Sequence, residues 1–165
     1  MKKFSAHNAS SKRGGLKVEA CGNCIVGVWN GTITMTDGES TQIGAASIQF
    51  SEDGTISGND SFDIGQLLPG FPFATVETVW LGKWKKVSKL QYTATVIQII
   101  SLQPFGGNPD FPIARVKRDT VITVDPTCTT FTDVTQISFF DLEDLAMTSS
   151  GFPIFTVAGT WAKAL

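Results

Sequence analysis

The strongest constraint in this sequence is a two-residue alternation of apolar and polar side chains, repeated in segments that end at turn-forming residues. Residues 25–36 alternate in this way, and residues 43–50 and 55–60 flank the dipeptide Asp53-Gly54. An Asp-Gly pair between two alternating segments is a strong β-hairpin signal. The pattern therefore predicts antiparallel strands joined by short turns.

The alternation recurs along the chain and predicts eight strands. They are residues 25–36, 43–50, 55–60, 74–84, 88–102, 113–124, 129–141 and 152–162. Apolar, Pro/Gly-rich loops are expected at residues 62–73 and 103–111. Residues 64–68 and 141–147 are long enough for one or two helical turns each, and no segment keeps a helical period for longer.

Eight strands without helices leave two architectures, a sandwich or an up-and-down antiparallel barrel. We expect the closed barrel, because closure removes exposed strand edges that would pair with other chains. The 165 residues suffice for one domain with a core of its own. We expect a mobile N-terminal tail at residues 1–22 and a barrel domain at residues 23–165.

Charge and hydropathy exclude several partners. A net charge of −2 and the lack of a dense Lys/Arg stripe argue against nucleic-acid binding. No apolar run approaches the ~20 residues that cross a bilayer as a helix. Residues 4–15 hold no apolar signal-peptide core, so cytoplasmic location is the default expectation.

Three cysteines are present, and two of them form the C-x-x-C pair Cys21 and Cys24. Redox pairs of this kind usually precede a helix in a βαβ unit, and zinc needs further ligands. Since the single histidine is His7, no complete metal site can be assembled. We expect ordinary thiols at Cys21, Cys24 and Cys128, with a local Cys21–Cys24 disulfide or adventitious metal binding as alternatives.

Three of the four tryptophans follow a glycine by two residues: Trp29, Trp84 and Trp161. A large ring beside a glycine fills the narrow end of a barrel, so Trp29 and Trp161 are expected to form a barrel plug. Trp80 and Trp84 share one face of their strand by alternation. They are candidates for an aromatic ligand lining, and a plug role is the alternative.

Polar residues interrupt the apolar faces of the fifth and sixth strands. If those faces point inward, Tyr92, Gln98 and Arg118 lie in the barrel interior and are candidate ligand-binding residues together with Trp80 and Trp84. A buried arginine requires an acceptor. The acceptor is either a ligand carboxylate or an internal partner, for which the sequence offers Asp60, Asp133 and Asp141.

Catalytic signatures are missing from the sequence. With the only histidine in the tail, neither a Ser/His/Asp nor a Cys/His arrangement can form. The carboxylates of Asp141, Glu143 and Asp144 cluster in a loop, where such groups are usually solvated. We therefore expect no catalytic residue, no metal and no cofactor.

The triplet Gly27-Val28-Trp29 resembles the G-x-W signature of lipocalins and the wider calycin group, whose tryptophan plugs one barrel end. Further segments from residue 25 to residue 162 resemble small, uncharacterised lipocalin-like barrels. They are residues 48–55, 82–85, 116–118 and 157–161, with a strand that ends at Asp141. Lipocalins usually add a helix and an arginine that stacks on the tryptophan, and this chain ends at Leu165 without them. The resemblance implies the fold and carries no agreed activity.

Three functions are compatible with these residues. The first is a binding protein that holds a small lipophilic molecule inside the barrel, gated by the loops at residues 62–73 and 103–111. The second is a filled barrel that acts through its surface as an interaction or structural module. The third is a cofactor-free enzyme of the cyclase or isomerase type. The residues identify neither a ligand nor an oligomeric state.

Overall fold

The computed structural model describes residues 23–36, 41–61, 64–67, 74–102, 111–147 and 155–164. Within these residues the chain forms β-strands and no α-helix. The strands are β1 Gly27–Thr36, β2 Thr41–Phe50, β3 Thr55–Asp60, β4 Ile64–Leu67, β5 Ala74–Glu77, β6 Trp80–Lys86, β7 Gln91–Leu102, β8 Phe111–Val124, β9 Thr130–Phe140 and β10 Phe155–Lys163. The predicted tail, residues 1–22, lies outside the described residues, as does most of the two predicted loops.

Eight of these strands close an up-and-down antiparallel barrel, as the alternation predicts. Their order is β1-β2-β3-β6-β7-β8-β9-β10, and β10 pairs with β1. The pairing of β7 with β8 completes the circle. Closure gives every one of the eight barrel strands a partner on both sides, while β4, which pairs with β5, lies at an edge of the sheet in the described residues.

The segment predicted as a single strand at residues 74–84 is broken into β5 and β6. Both pair with β7, but Glu77 lies opposite Ile100 and Leu81 lies opposite Ile97. From Glu77 to Leu81 the chain advances four residues, whereas the facing segment of β7 from Ile100 to Ile97 advances three. One extra residue is therefore accommodated between β5 and β6. Because a one-residue shift moves side chains to the other face, Glu77 and Trp80 both point inward.

The helical turns expected at two places do not form. Residues 64–67 are strand β4, which pairs with β5. At the other place, hydrogen bonds from the Asp144 amide to Asp141 and from the Met147 amide to Asp144 make successive turns instead of a helix. Both segments are too short for their local propensity to decide the structure, and pairing with a neighbouring strand satisfies the backbone of residues 64–67.

The expectation of ordinary thiols is wrong for two of the three cysteines, because Cys24 and Cys128 form a disulfide with Cα atoms 5.2 Å apart. They are 104 residues apart in sequence, and barrel closure makes them neighbours. The Lys163 amide donates to the Thr129 carbonyl, and Lys163 pairs with Trp29. Strand β10 therefore joins the start of β1 to the β8–β9 turn. Cys21 lies outside the described residues.

Candidate functional site

Six aromatic rings fill the barrel end at which the β2–β3, β6–β7 and β8–β9 turns meet. This closed-end cluster consists of Trp29, Phe50, Trp84, Tyr92, Phe131 and Trp161, all of them buried. Phe131 is its centre, with ring centroids 4.8 Å from Trp29, 5.3 Å from Trp161 and 6.0 Å from Phe50. Edge-on and stacked contacts at these distances are favourable beyond the area that they bury.

Hydrogen bonds fix the orientation of the three tryptophans in this cluster. The indole nitrogen of Trp29 donates to the Ile25 carbonyl at 2.7 Å, and that of Trp84 donates to the Ser51 carbonyl at 3.0 Å. The indole nitrogen of Trp161 donates to Asp133 Oδ1 at 2.5 Å. At Gly31, a Cβ atom would lie 2.7 Å from the Trp161 ring, so the strand accepts the stacked indole only with glycine there.

A second buried group, the charge cluster of Asp60, Glu77, Gln98 and Arg118, lies farther along the barrel interior. Arg118 Nη2 donates to Glu77 Oε2 at 2.9 Å and Arg118 Nη1 donates to Asp60 Oδ2 at 3.2 Å. These three side chains are 5% exposed or less. The Arg118 guanidinium also lies 4.5 Å from the centre of the Trp80 ring, a cation–π distance.

Glu77 is the acceptor that joins the cluster together. Its Oε2 also accepts from Gln98 Nε2 at 2.6 Å, while the same amide nitrogen donates to the Thr78 carbonyl at 3.0 Å. Burial raises the pKa of Glu77, and the nearby charge of Asp60 raises it further. Arg118 and the hydrogen bonds oppose this shift without cancelling it.

Asp133 lies between the two clusters. Besides Trp161 it accepts a hydrogen bond at 2.8 Å from the hydroxyl of Thr135, which lies 2.8 Å from the hydroxyl of Thr120. Burial raises the pKa of Asp133, and the donors Trp161 and Thr135 counteract part of that rise. The interior therefore holds carboxyl groups whose charged forms burial disfavours.

A cavity of about 30 Å³ remains inside the barrel between the clusters. Its wall includes Trp80, Arg118, Asp133 and Trp161 together with aliphatic side chains. Small-molecule sites usually measure about 300–1,000 Å³. About 10–15 Å³ is needed for a water molecule, so the space has room for one or two waters.

All five predicted ligand-binding residues are buried, but they do not converge on one site. Trp80 and Arg118 line the cavity, whereas Trp84 and Tyr92 belong to the closed-end cluster, with ring centroids 5.7 Å apart. Gln98 is bonded to Glu77. The predicted plug residues Trp29 and Trp161 both lie in the closed-end cluster.

Sequence reasoning missed Glu77, the nearest acceptor of Arg118. An uninterrupted alternation from Trp80 puts residue 77 on the outer face, so only the extra residue at 78–79 brings Glu77 inside. Of the three internal acceptors considered, Asp60 pairs with Arg118 and Asp133 lies nearby. Asp141 is exposed beyond the end of β9.

No group of three metal-ligating side chains occurs among the described residues, and no helix there is long and apolar enough to cross a membrane. Among the described residues, the barrel interior contains packed aromatic rings and an internal ion-pair network. Comparison of the chain with protein-family models, with curated proteins and with solved structures finds no match.

Proposed function

We propose that this chain is a lipocalin-like barrel with a filled interior, which acts through its outer surface as an interaction module. The interior cavity of about 30 Å³ carries this proposal. It is roughly a tenth of the smallest volume usual for a small-molecule site. The same volume argues against a cyclase or isomerase, because the described part of the interior leaves too little room for a substrate beside the buried carboxyl groups.

The closed end supports the lipocalin-like assignment. Trp29 of the Gly27-Val28-Trp29 triplet is fully buried there, as the resemblance implies. The stacking arginine of lipocalins has a counterpart in Lys163, whose Nζ lies 5.3 Å from the centre of the Trp29 ring. A cation on the last described strand thus covers the tryptophan of the first strand.

The disulfide indicates the type of cellular compartment in which this barrel folds. Disulfides persist in oxidising compartments and are rare in the cytosol of mesophiles. Cys24–Cys128 therefore favours folding in an oxidising compartment over the cytoplasmic location expected by default.

A second candidate function is the binding of a small lipophilic molecule in the interior. The indole nitrogen of Trp80 and Nε of Arg118 are buried and have no hydrogen-bond partner among the described residues. Both residues line the cavity. A carbonyl or ether oxygen of a ligand would satisfy these donors, although the Trp80 side chain would have to move to admit it.

A ligand panel distinguishes the two candidates. Fatty acids, their methyl esters and aromatic probes are titrated while thermal unfolding and tryptophan fluorescence are recorded. The filled barrel predicts no saturable change. Interior binding predicts stabilisation that grows by about 1.4 kcal/mol for each tenfold ligand excess over Kd.

The variant Trp80→Phe removes one of the two donors and identifies where a bound ligand lies. Saturable binding that Trp80→Phe weakens would overturn the filled barrel. The esters are expected to be the better ligands in that case, because Asp60 and Glu77 already occupy the Arg118 guanidinium and would repel a free acid.

A further inference from the structure

The outer wall of the barrel carries a compact block of exposed apolar side chains on β6, β7 and the residue before β6. This apolar block consists of Val79, Leu81, Ile97 and Ile99, which are 56%, 60%, 39% and 38% exposed. Leu81 lies directly opposite Ile97, and the amide of Thr78 donates to the carbonyl of Ile99. Leu81 and Ile97 are thus a cross-strand pair, and Val79 and Ile99 each lie two residues along the chain from one of its members.

Basic residues border this block on two sides. On β8, Lys117 lies opposite Ile97 and Arg115 lies opposite Ile99. On β6, Lys83 follows Leu81 on the same face and is exposed. Among the described residues the acidic neighbour is Asp119, which bonds Lys117 at 2.9 Å and accepts from the Thr95 hydroxyl at 2.6 Å. The rim therefore keeps an excess of positive charge on a chain whose net charge is −2.

We propose that the apolar block and its basic rim form a docking surface for a protein segment that carries a large apolar side chain flanked by aspartates or glutamates. This inference rests on the proposed function and names its partner class. Apolar contact supplies affinity, and the charges supply orientation and selectivity against basic partners.

Size and charge select this occupant over others. Strand spacing and side-chain spacing give the block dimensions of about 5 by 7 Å, which matches one or two side chains of a partner. A second copy docked on the same face would bring the basic rims together. Residues 1–22 hold five basic residues and one acidic residue, so they are repelled as well.

The proposal is tested with a labelled synthetic peptide in which a leucine and a phenylalanine are flanked by aspartates. Its counterpart carries lysines in place of the aspartates. Fluorescence anisotropy with the full chain is expected to show saturable binding of the acidic peptide and binding at least about tenfold weaker for the basic one. Added salt should weaken the acidic complex.

The double variant Leu81→Thr with Ile97→Thr removes the apolar contact and keeps a residue type that strands favour. It is expected to lower affinity by at least about tenfold, or about 1.4 kcal/mol. The matched control is Val121→Thr with Val134→Thr, a cross-strand pair on another part of the wall in which both residues are 55% exposed. The control should bind within about twofold of the wild type. Thermal unfolding of both variants checks that they fold.

Several outcomes overturn the inference. They are equal losses in both double variants, preference for the basic peptide, no binding of either peptide, binding to phosphatidylserine vesicles without peptide binding, and self-association through the block. None of these outcomes bears on whether the barrel interior is filled, because the ligand panel tests that separately. Interior ligand binding together with patch-dependent peptide binding would overturn the filled interior and leave the docking surface in place.

Discussion

At the closed end, six aromatic rings fill the barrel by contact, whereas farther along the interior an arginine and its carboxylates fill it by charge pairing. The rings at the closed end contact one another, and each indole there has its own acceptor. In the charge cluster, Glu77 Oε2 serves both Arg118 and Gln98. Stability is thus distributed over many contacts in one region and concentrated on a few groups in the other.

The difference has an energetic consequence. Removing atoms from an apolar cluster leaves a cavity that neighbours partly close. Removing one member of a buried ion pair leaves an uncompensated charge in a medium of low dielectric constant. We therefore expect the charge cluster to respond more steeply to single substitutions, and to recover when the whole network is neutralised.

The largest effect is expected for Arg118→Met, which keeps much of the side-chain length and removes the charge. Asp60 and Glu77 then remain buried without their cation, and the free energy of unfolding should fall by about 3–5 kcal/mol. Urea unfolding measures the change. The triple variant with Asp60→Asn and Glu77→Gln should regain a large part of it. If the free energy of unfolding of Arg118→Met lies within about 1 kcal/mol of the wild-type value, charge pairing does not stabilise this region.

The next largest effect concerns the Cys24–Cys128 disulfide at the closed end. Replacing Cys24 and Cys128 together by serine opens a loop of 104 residues in the unfolded chain and should cost about 2–4 kcal/mol. The control is Cys21→Ser, which leaves the Cys24–Cys128 bond intact. Urea unfolding of the variants and mass spectrometry of alkylated thiols check both stability and pairing.

If the double cysteine variant is as stable as the wild type, aromatic packing alone holds the closed end. That outcome would sharpen the contrast between the two regions. Alkylation of Cys128 in the oxidised protein without prior reduction would instead contradict the disulfide itself.

The barrel could be predicted from the sequence because alternation and turns are local signals. All eight predicted strand positions are occupied by strands, and the Asp53-Gly54 turn joins β2 to β3. The plug residues follow from the same logic, since a tryptophan beside glycine indicates a crowded backbone before any contact is known. The predictions that failed concern features that depend on residues distant in sequence, such as the disulfide, or on the one extra residue between β5 and β6.

Glu77 and the disulfide show why the rest could not be predicted. The residue types around Thr78 and Val79 give no signal of the one-residue shift that turns Glu77 inward. Arg118, the partner of Glu77, is 41 residues away in sequence. Cys24 has a nearby cysteine in sequence, Cys21, but its bond is to Cys128 across the closed barrel. The short spacing of Cys21 and Cys24 draws attention to a local bond, whereas barrel closure brings the distant Cys128 to Cys24.

The smallest effect is expected for Asp133, which belongs to both regions through Trp161 and its proximity to Arg118. Burial holds the pKa of Asp133 above its ordinary value of 3.8. The folded chain then binds this proton more tightly than the unfolded chain, so the group lowers stability as pH rises from about 4 through the folded pKa. Asp53 and Asp125 act in the opposite direction at lower pH, because hydrogen bonds to threonines depress the pKa of each.

Asp133→Asn isolates the contribution of this one carboxyl from the others. The amide oxygen still accepts from Trp161 and the amide nitrogen can donate to the Thr135 hydroxyl, while Arg118 keeps Asp60 and Glu77. The free energy of unfolding of the variant, measured in urea between pH 3.5 and pH 7, should therefore rise relative to that of the wild type with increasing pH and then level off. A difference that stays constant across this range would mean that Asp133 is ionised in the folded chain as readily as in the unfolded one. Its hydrogen bonds would then balance the effect of its burial, and the boundary between the aromatic and charged regions would stabilise a carboxylate as well as water does.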